Sequence, residues 1–250
     1  MQTTQNKKMK SPSAVRKTQK DMRLYRRQLM GLMSDVSKDA IESILSSYLL
    51  HTCAGRLHAQ LDEHELILQK TKLKLEKDFI KLVNICVKSV EQKKKIIFFG
   101  NGGSAADSQH LATELSVRFS KNRKAIAALS LVTDTSTITA IANDFGFKYL
   151  FSRQIEAIGE KGDVAVGIST SGKSINVIEG LKSAKKKNLK CIIFTGKKSQ
   201  SFRKFCDCVI SIPAKNTSRI QEMHITIGQM LCNAIEFKLN LAPLVNEEKK

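Results

Sequence analysis

The stretch KIIFFGNGGSAADSQHLATEL, Lys95–Leu115, decides the fold. It begins with a short apolar run that predicts a buried strand. A glycine-rich turn, GNGGS (100–104), follows and opens a helix predicted over 104–117. A strand that passes through a tight turn into a helix is the first half of a βαβ unit, from which parallel sheets are built.

Four further apolar runs of strand length follow, separated by helical stretches. The predicted strands are 95–100, 126–132, 163–169, 190–196 and 207–213, and the predicted helices are 104–117, 148–159, 173–187 and 218–240. Continuously apolar strands that alternate with helices indicate an α/β fold with a parallel sheet covered on both faces. Ligands of such sheets bind beyond the carboxyl ends of the strands, so we expect a site at that edge.

The chain upstream of the sheet has two parts. Residues 57–92 carry apolar and charged residues at helical period, which predicts one or two amphipathic helices, and 36–50 has the spacing of a short helix. Residues 1–30 contain nine Lys or Arg and a single acid, Asp21, so they supply +8 of the net charge of +19. We expect 1–50 to be a basic, flexible extension and 51–245 to form the functional domain.

Composition argues against several classes of protein. With 42% hydrophobic residues the 250-residue chain can bury a core, and no apolar run reaches the length of a membrane span. The first residues lack the apolar segment of a secretory signal and the six cysteines form no CxxC pair, so we expect a cytoplasmic protein with free thiols. Aromatic residues do not interleave with the lysines, so the charge predicts weak attraction to polyanions and no specific nucleic-acid partner.

Two predicted strand ends carry unusual loops. The glycine loop (100–104, GNGGS) lets the backbone bend tightly and approach a ligand, although glycine is also the ordinary residue of a short turn. The hydroxyl loop (169–174, STSGKS) places four hydroxyl groups at a helix amino terminus, more than a serine cap needs, which favours phosphate binding. The glycine loop contains neither GK[ST] nor GxGxxG, so it is neither a P-loop nor a dinucleotide fingerprint.

His110 and Glu114 stand four residues apart on the helix that leaves the glycine loop. At this spacing both side chains project from one face, so they can share a divalent metal such as zinc, or Glu114 can act as a general base. A surface ion pair is the ordinary interpretation of such a spacing. Their position on this particular helix favours a site.

Two further sets of polar residues are candidates for a site. Gln221 and His224 lie near one face of the last predicted helix, with Gln229 two turns beyond Gln221. Asn143 and Asp144 form a polar pair in an apolar setting, which suits a turn or a contact with a sugar hydroxyl.

Four segments, in this order and spacing, closely resemble the bacterial phosphoheptose isomerases of the sugar isomerase (SIS) domain group: GNGGSAADSQHLATEL, TAIANDFGF, GISTSGKSINVI and TSRIQEMHITIG. The resemblance covers roughly residues 55–242 and leaves 1–50 uncovered. It implies a five-stranded parallel sheet in a Rossmann-like, three-layer sandwich, and a homotetramer with active sites at subunit interfaces. It also implies conversion of sedoheptulose 7-phosphate to D-glycero-D-manno-heptose 7-phosphate, the first step toward the ADP-heptose of lipopolysaccharide cores.

The resemblance also implies roles for individual residues. Asn101, Gly102 and Gly103 would contact the sugar, Asn143 and Asp144 would line the pocket, and the phosphate would be bound by Ser169, Thr170, Ser171 and Ser174. Zn²⁺ would be held by His110, Glu114 and Gln221, which would also face the substrate. Glu114 would in addition move a proton through an enediol intermediate.

One position departs from the family's pattern. Eight residues beyond the glutamine of RIQE, the family places a histidine that is its remaining zinc ligand and catalytic acid, and this chain has Gln229 there. An amide oxygen can bind a metal, but an amide exchanges no proton near neutral pH. We therefore expect zinc to bind more weakly and the acid role to pass to water or another group.

Two alternatives stay open. The first is a non-catalytic SIS-domain regulator that resembles the DnaA-initiator-associating protein, which the retention of Glu114 with His110 and Gln221 disfavours. The second is an isomerase that acts on a different phosphosugar, and the sequence gives no means to exclude it.

Overall fold

The computed structural model describes residues 52–196 and 201–241. The chain divides into two compact units, 1–62 and 63–250, and of the first unit only 52–62 are described. The short helix predicted at 36–50 lies outside the described residues. Within the described ranges, no helix has both the length and the apolar character needed to cross a membrane.

In the described residues, one long helix precedes a series of strands and helices. In chain order the elements are α1 (Cys53–Glu91), β1 (Ile96–Gly100), α2 (Gly103–Ser116), β2 (Ala128–Ser130), α3 (Thr135–Asp144), α4 (Leu150–Ile158), β3 (Val164–Ser169), α5 (Ile175–Lys186), β4 (Lys190–Thr195), β5 (Cys208–Ser211) and α6 (Thr217–Lys238). Short 3-10 turns stand at Phe147–Tyr149 and Phe202–Lys204.

The five strands form one parallel sheet in the order β2-β1-β3-β4-β5. The chain moves outward from β1 to β2 and then returns to add β3 on the other side of β1, so the strand order reverses between β1 and β3. The loops after these two strands diverge and leave a crevice at the carboxyl edge of the sheet. The predicted parallel α/β sheet is confirmed, and the glycine loop and the hydroxyl loop are the two loops that border this crevice.

The sheet has an apolar core on each face. Alternate residues of β1 point to opposite sides: Ile96 and Phe98 pack with α1, α2 and α6, whereas Ile97 and Phe99 pack with α3, α4 and α5. Every residue of β1 and β3 is buried. The result is the three-layer sandwich that the resemblance implied.

The structure differs from the predictions in some elements. The strand predicted at 126–132 is only Ala128–Ser130, an edge strand that pairs with β1 alone. No helix is predicted from the sequence over Thr135–Asp144, a run rich in β-branched residues, which favour strands. It forms α3 nevertheless, and Asp134 caps it by accepting the Thr137 N–H at 3.1 Å. The one or two helices predicted over 57–92 are a single helix.

Candidate active site

The helices that follow the two crevice loops begin without a side-chain cap. Gly102, with φ at 57°, precedes α2 and has no side chain to offer. Ser174 is the N-cap residue of α5, yet its hydroxyl forms no capping bond and instead lies 2.9 Å from Ser169 Oγ. By contrast, α3 and α6 are capped by Asp134 and Asn216. The helix termini at the crevice therefore present N–H donors and the positive end of a helix dipole to an anion or a hydroxyl.

An amide pair joins the two loops. Asn101 Nδ2 donates to Asn176 Oδ1 at 2.9 Å, and Asn176 Nδ2 donates back to Asn101 Oδ1 at 2.8 Å. Asn176 belongs to the first turn of α5 and is 3% exposed. The glycine loop is thus tied to the helix that leaves the hydroxyl loop.

Helices α2 and α6 pack side by side along what we call the α2–α6 seam. A Cβ atom built on Gly103 would lie 1.7 Å from Gln221 Nε2, and one built on Gly228 would lie 2.6 Å from Leu111 Cδ1. Further along, His110 faces Gln229. Residue numbers rise together on the two helices, so they run parallel, and the two glycines let them approach closely.

His110, Glu114 and Gln229 form one cluster on this seam. His110 Nε2 lies 3.1 Å from Glu114 Oε1 and 3.2 Å from Gln229 Nε2. The imidazole and the carboxylate keep 43% and 23% of their side-chain surface accessible. Both groups are therefore accessible to a bound molecule.

The spacing of these donor atoms suits a divalent ion. Zinc lies about 2.0–2.2 Å from nitrogen and oxygen ligands, so neighbouring ligands of a tetrahedral site are about 3.3 Å apart. Gln229 would have to present its oxygen, which needs only a flip of the terminal amide. Strong ligands are nevertheless few: within residues 52–196 and 201–241 no three His, Cys, Asp or Glu side chains are grouped to hold a metal. The cluster fits a weakly held ion.

Gln221 is not part of this cluster. Its amide packs against Gly103. Gly103 precedes His110 by seven residues, which corresponds to about 10 Å along the axis of α2. Within one chain, the four expected zinc ligands thus fall into two groups.

Asn143 and Asp144 lie at the end of α3. Asn143 Nδ2 donates to Asp144 Oδ1 at 2.8 Å, and Asp144 lines a cavity of about 420 Å³ together with Asp134 and Arg153. Both residues are exposed. Among the described residues, the hydrogen bonds of these two side chains do not reach the crevice loops, and their contact with a sugar stays a prediction.

His224 lies in the core rather than in the site. It is 1% exposed, and its ring packs edge-on against Phe194 with 5.8 Å between the centroids. Burial lowers the pKa of His224 to about 4, although a hydrogen bond with the backbone of Thr195 acts in the opposite direction. A buried imidazole that stays neutral cannot supply the acid that Gln229 lacks.

Asp107 is a residue that the sequence analysis missed. It lies one turn before Leu111, on the face of α2 that packs against α6, and it is buried. Its Oδ2 has no hydrogen-bond partner among the described residues. Burial raises the pKa of Asp107 to about 6, and the neighbouring His110 opposes the rise. Its spacing from Gly103 and Leu111 was the only signal of its position in the sequence.

A buried ion pair holds the far end of the seam. Arg123 and Glu236 are in contact, each with 1% of its side chain accessible. The guanidinium donates to the carbonyl oxygens of Glu114 and Leu115, both at 2.8 Å, and Glu236 accepts the Phe119 N–H at 2.9 Å. Arg123 thereby satisfies carbonyls at the carboxyl end of α2 and ties that end to α6.

Comparisons with known proteins agree with this architecture. A model of the SIS domain matches residues 61–196. A phosphoheptose isomerase of Paramagnetospirillum magneticum is 50% identical over 180 residues, which are 72% of this chain and 94% of that protein. Phosphoheptose isomerase 1 of Campylobacter jejuni is 48% identical over 174 residues, 70% of this chain and 93% of that protein.

Solved structures give the same result. A phosphoheptose isomerase from Neisseria gonorrhoeae is 37% identical and superposes with a TM-score of 0.70 over 74% of this chain and 100% of that one. One from Francisella tularensis is 28% identical, with a TM-score of 0.72 over 74% and 99% of the two chains. On the strength of this identity and coverage, the chain belongs to the phosphoheptose isomerase family of SIS-domain proteins.

Proposed function

We propose that the protein converts sedoheptulose 7-phosphate to D-glycero-D-manno-heptose 7-phosphate, the first step toward the ADP-heptose of lipopolysaccharide cores. The observation that carries this proposal is the His110–Glu114 pair, 3.1 Å apart on the helix that leaves the glycine loop. It occurs in a chain that is 50% identical to a phosphoheptose isomerase. Isomerisation needs a base, a polar group beside it and an anchor for the phosphate, and this chain has candidates for all three.

Glu114 is the base in this proposal. It removes a proton from C1 of the ketose and returns it to C2, so that an enediol lies between the two sugars. O2 gains a proton while O1 loses one. Gln229 cannot carry that proton, so water or another group of the site does.

The hydroxyl loop anchors the phosphate. Four hydroxyl groups and the uncapped amino terminus of α5 are suited to a dianion, because N–H and O–H donors and the helix dipole all favour negative charge there. The donors proposed are Ser169, Thr170, Ser171 and Ser174.

We also propose that Zn²⁺ binds at His110, Glu114 and Gln229. Glu114 Oε1 and Gln229 Nε2 lie 3.1 and 3.2 Å from His110 Nε2, which supports this placement. When bound, zinc would polarise the sugar carbonyl. An amide in place of a second imidazole makes the affinity low.

A homotetramer with sites between subunits is the proposed assembly. Eleven residues separate Gly103 from Glu114, about 16 Å along α2, so one chain alone holds its base far from its own crevice loops. A second copy would bring a crevice to that base, and would also offer Gln221 as a further ligand. Helix α1 exposes half or more of Leu66, Leu73 and Ile80, which are seven residues apart as in helix–helix seams. Light scattering is expected to give four times 27.9 kDa.

The test of the activity is turnover of sedoheptulose 7-phosphate by the purified full chain with zinc supplied. Glu114→Gln keeps the shape of the side chain but not the base, and should lower kcat by at least about a hundredfold. Glu160→Gln, the same change at an exposed residue, is the matched control and should not alter kcat.

Gln229→His separates a working site from one that has lost its acid. We expect an active wild type, and higher kcat and zinc affinity in the variant. An inactive wild type beside an active Gln229→His would show that the chain has lost the activity of its relatives. Inactivity of both would favour the non-catalytic regulator.

A further inference from the structure

The amide pair between Asn101 and Asn176 assigns a role that goes beyond the carried-over site residues. We propose that Asn176 is a positioning residue that holds the glycine loop through the Asn101 side chain. The backbone of Gly102 and Gly103, and not the Asn101 amide, then meets the sugar. This inference rests on the proposed function and deepens it.

The orientation of both amides follows from one backbone bond. Asn176 Oδ1 accepts the Val177 N–H at 3.0 Å, and a backbone N–H can only donate. The oxygen and nitrogen of Asn176 are therefore distinguished, and Nδ2 is the atom that faces Asn101. Asn101 must in turn offer its oxygen to Asn176 Nδ2 and its nitrogen to Asn176 Oδ1.

This pairing occupies the Asn101 side chain. Its oxygen and one of its two amide protons bind Asn176, while its backbone oxygen accepts the Ser104 N–H at 3.0 Å. If Asn101 turned toward a sugar, the buried Asn176 would lose both bonds to its partner. A buried amide without partners is strongly disfavoured, so the pair holds in the bound state as well.

In the described part of the chain, Gly102 at the tip of this loop lacks a packing contact. A Cβ atom built on Gly102 would meet no atom within 4 Å among the described residues, so packing does not fix the loop there. Asn176 belongs to the first turn of α5, directly after the hydroxyl loop. The pair therefore sets the position of the sugar-binding backbone relative to the phosphate anchor.

The first experiment is a double-mutant cycle with Asn101→Ala, Asn176→Ala and the double variant. Each single change should lower kcat by about tenfold or more, because the sugar is misplaced. The kcat of the double variant should lie within about twofold of that of the less active single variant. The inhibition constant of inorganic phosphate should stay within about twofold, because the hydroxyl loop is intact. Ser183→Ala changes another buried hydrogen-bonding residue of α5 and should leave kcat unaltered.

Two results would overturn the inference. Losses that multiply in the double variant would mean that Asn101 contacts the sugar on its own. A loss of phosphate binding as large as the loss of kcat would mean a collapse of the crevice rather than a misplaced loop. If Asn176→Ala does not fold, Asn176→Asp replaces it, since it keeps both accepting roles and loses only the donated bond, and an intermediate loss of kcat is expected.

A second measurement needs no substrate. Hydrogen exchange of the amides of 101–104, followed by mass spectrometry in the ligand-free protein, should be faster in Asn176→Ala and unchanged in Ser183→Ala. Unchanged exchange in Asn176→Ala would refute the positioning role even if the enzyme is active. Faster exchange in a protein that does not turn over sedoheptulose 7-phosphate would uphold it while the proposed function fails.

Discussion

Gly103→Ala should remove the activity and leave the fold intact. The new Cβ would lie 1.7 Å from Gln221 Nε2 and 2.6 Å from Gln221 Cδ, whereas ordinary contact begins at 3.4 Å, so the amide must move by about 2 Å. Misplacing a group of the site by about 1 Å can cost about a hundredfold in rate, and we expect kcat/KM to fall by at least that factor. The displaced atoms end a flexible side chain, so the free energy of unfolding should change by less than about 1 kcal/mol.

The assay compares kcat/KM with unfolding in urea for Gly103→Ala, Gln221→Ala and the double variant. Because the clash acts through Gln221, the alanine at 103 should have little further effect once Gln221 is truncated. Two results would refute this reasoning: a Gly103→Ala protein that keeps kcat/KM within threefold of wild type, or a loss that is equally large in the Gln221→Ala background.

Other perturbations test the seam and the core. Glu236→Gln leaves the charge of Arg123 buried without its partner and should lower the free energy of unfolding by about 3–5 kcal/mol in urea denaturation, and a change below 1 kcal/mol would contradict a buried pair. Burial lowers the pKa of His224 from 6.5 to about 4, so the unfolded chain takes up a proton at higher pH than the folded protein does. The free energy of unfolding should therefore fall as pH falls between these values, by up to about 3 kcal/mol, and His224→Phe should reduce this dependence on pH. Asp107 has the opposite effect, because its pKa is raised to about 6 and its contribution to stability is present in acid and lost as pH rises through 6. Asp107→Asn removes this contribution, so the free energy of unfolding should fall more steeply in acid.

Local patterns in the sequence were enough to predict the layers of the fold. Each strand is encoded by a short continuous run of apolar residues and most helices by the period of theirs, and the glycine and hydroxyl loops are marked by composition. Helix α3 could not be predicted in this way, because its threonines and isoleucines are typical of strands. What makes it a helix is the capping bond of Asp134 and the core beneath Ile141, and the second of these depends on the tertiary structure.

Contacts between distant segments could not be predicted from the sequence. The Arg123–Glu236 pair joins residues 113 positions apart, and Asn101 and Asn176 are 75 apart. Neither pair has a local signal, because an asparagine or an arginine looks the same whether its partner is water or protein. The separation of Gln221 from His110 could not be predicted either. A motif gives the order of its residues, but it does not show which of them lie close together in space.

The α2–α6 seam limits how chains with this architecture can diverge. Its contacts recur at Gly103, Leu111 and Phe119 against Gln221, Gly228 and Glu236. Inserting or deleting one residue in either helix would turn everything beyond it by about 100° and shift it by about 1.5 Å. Every later contact would then fail together. Descendants of this chain are therefore expected to keep both helices at constant length and to alter their chemistry by single replacements, of which a glutamine at 229 is one.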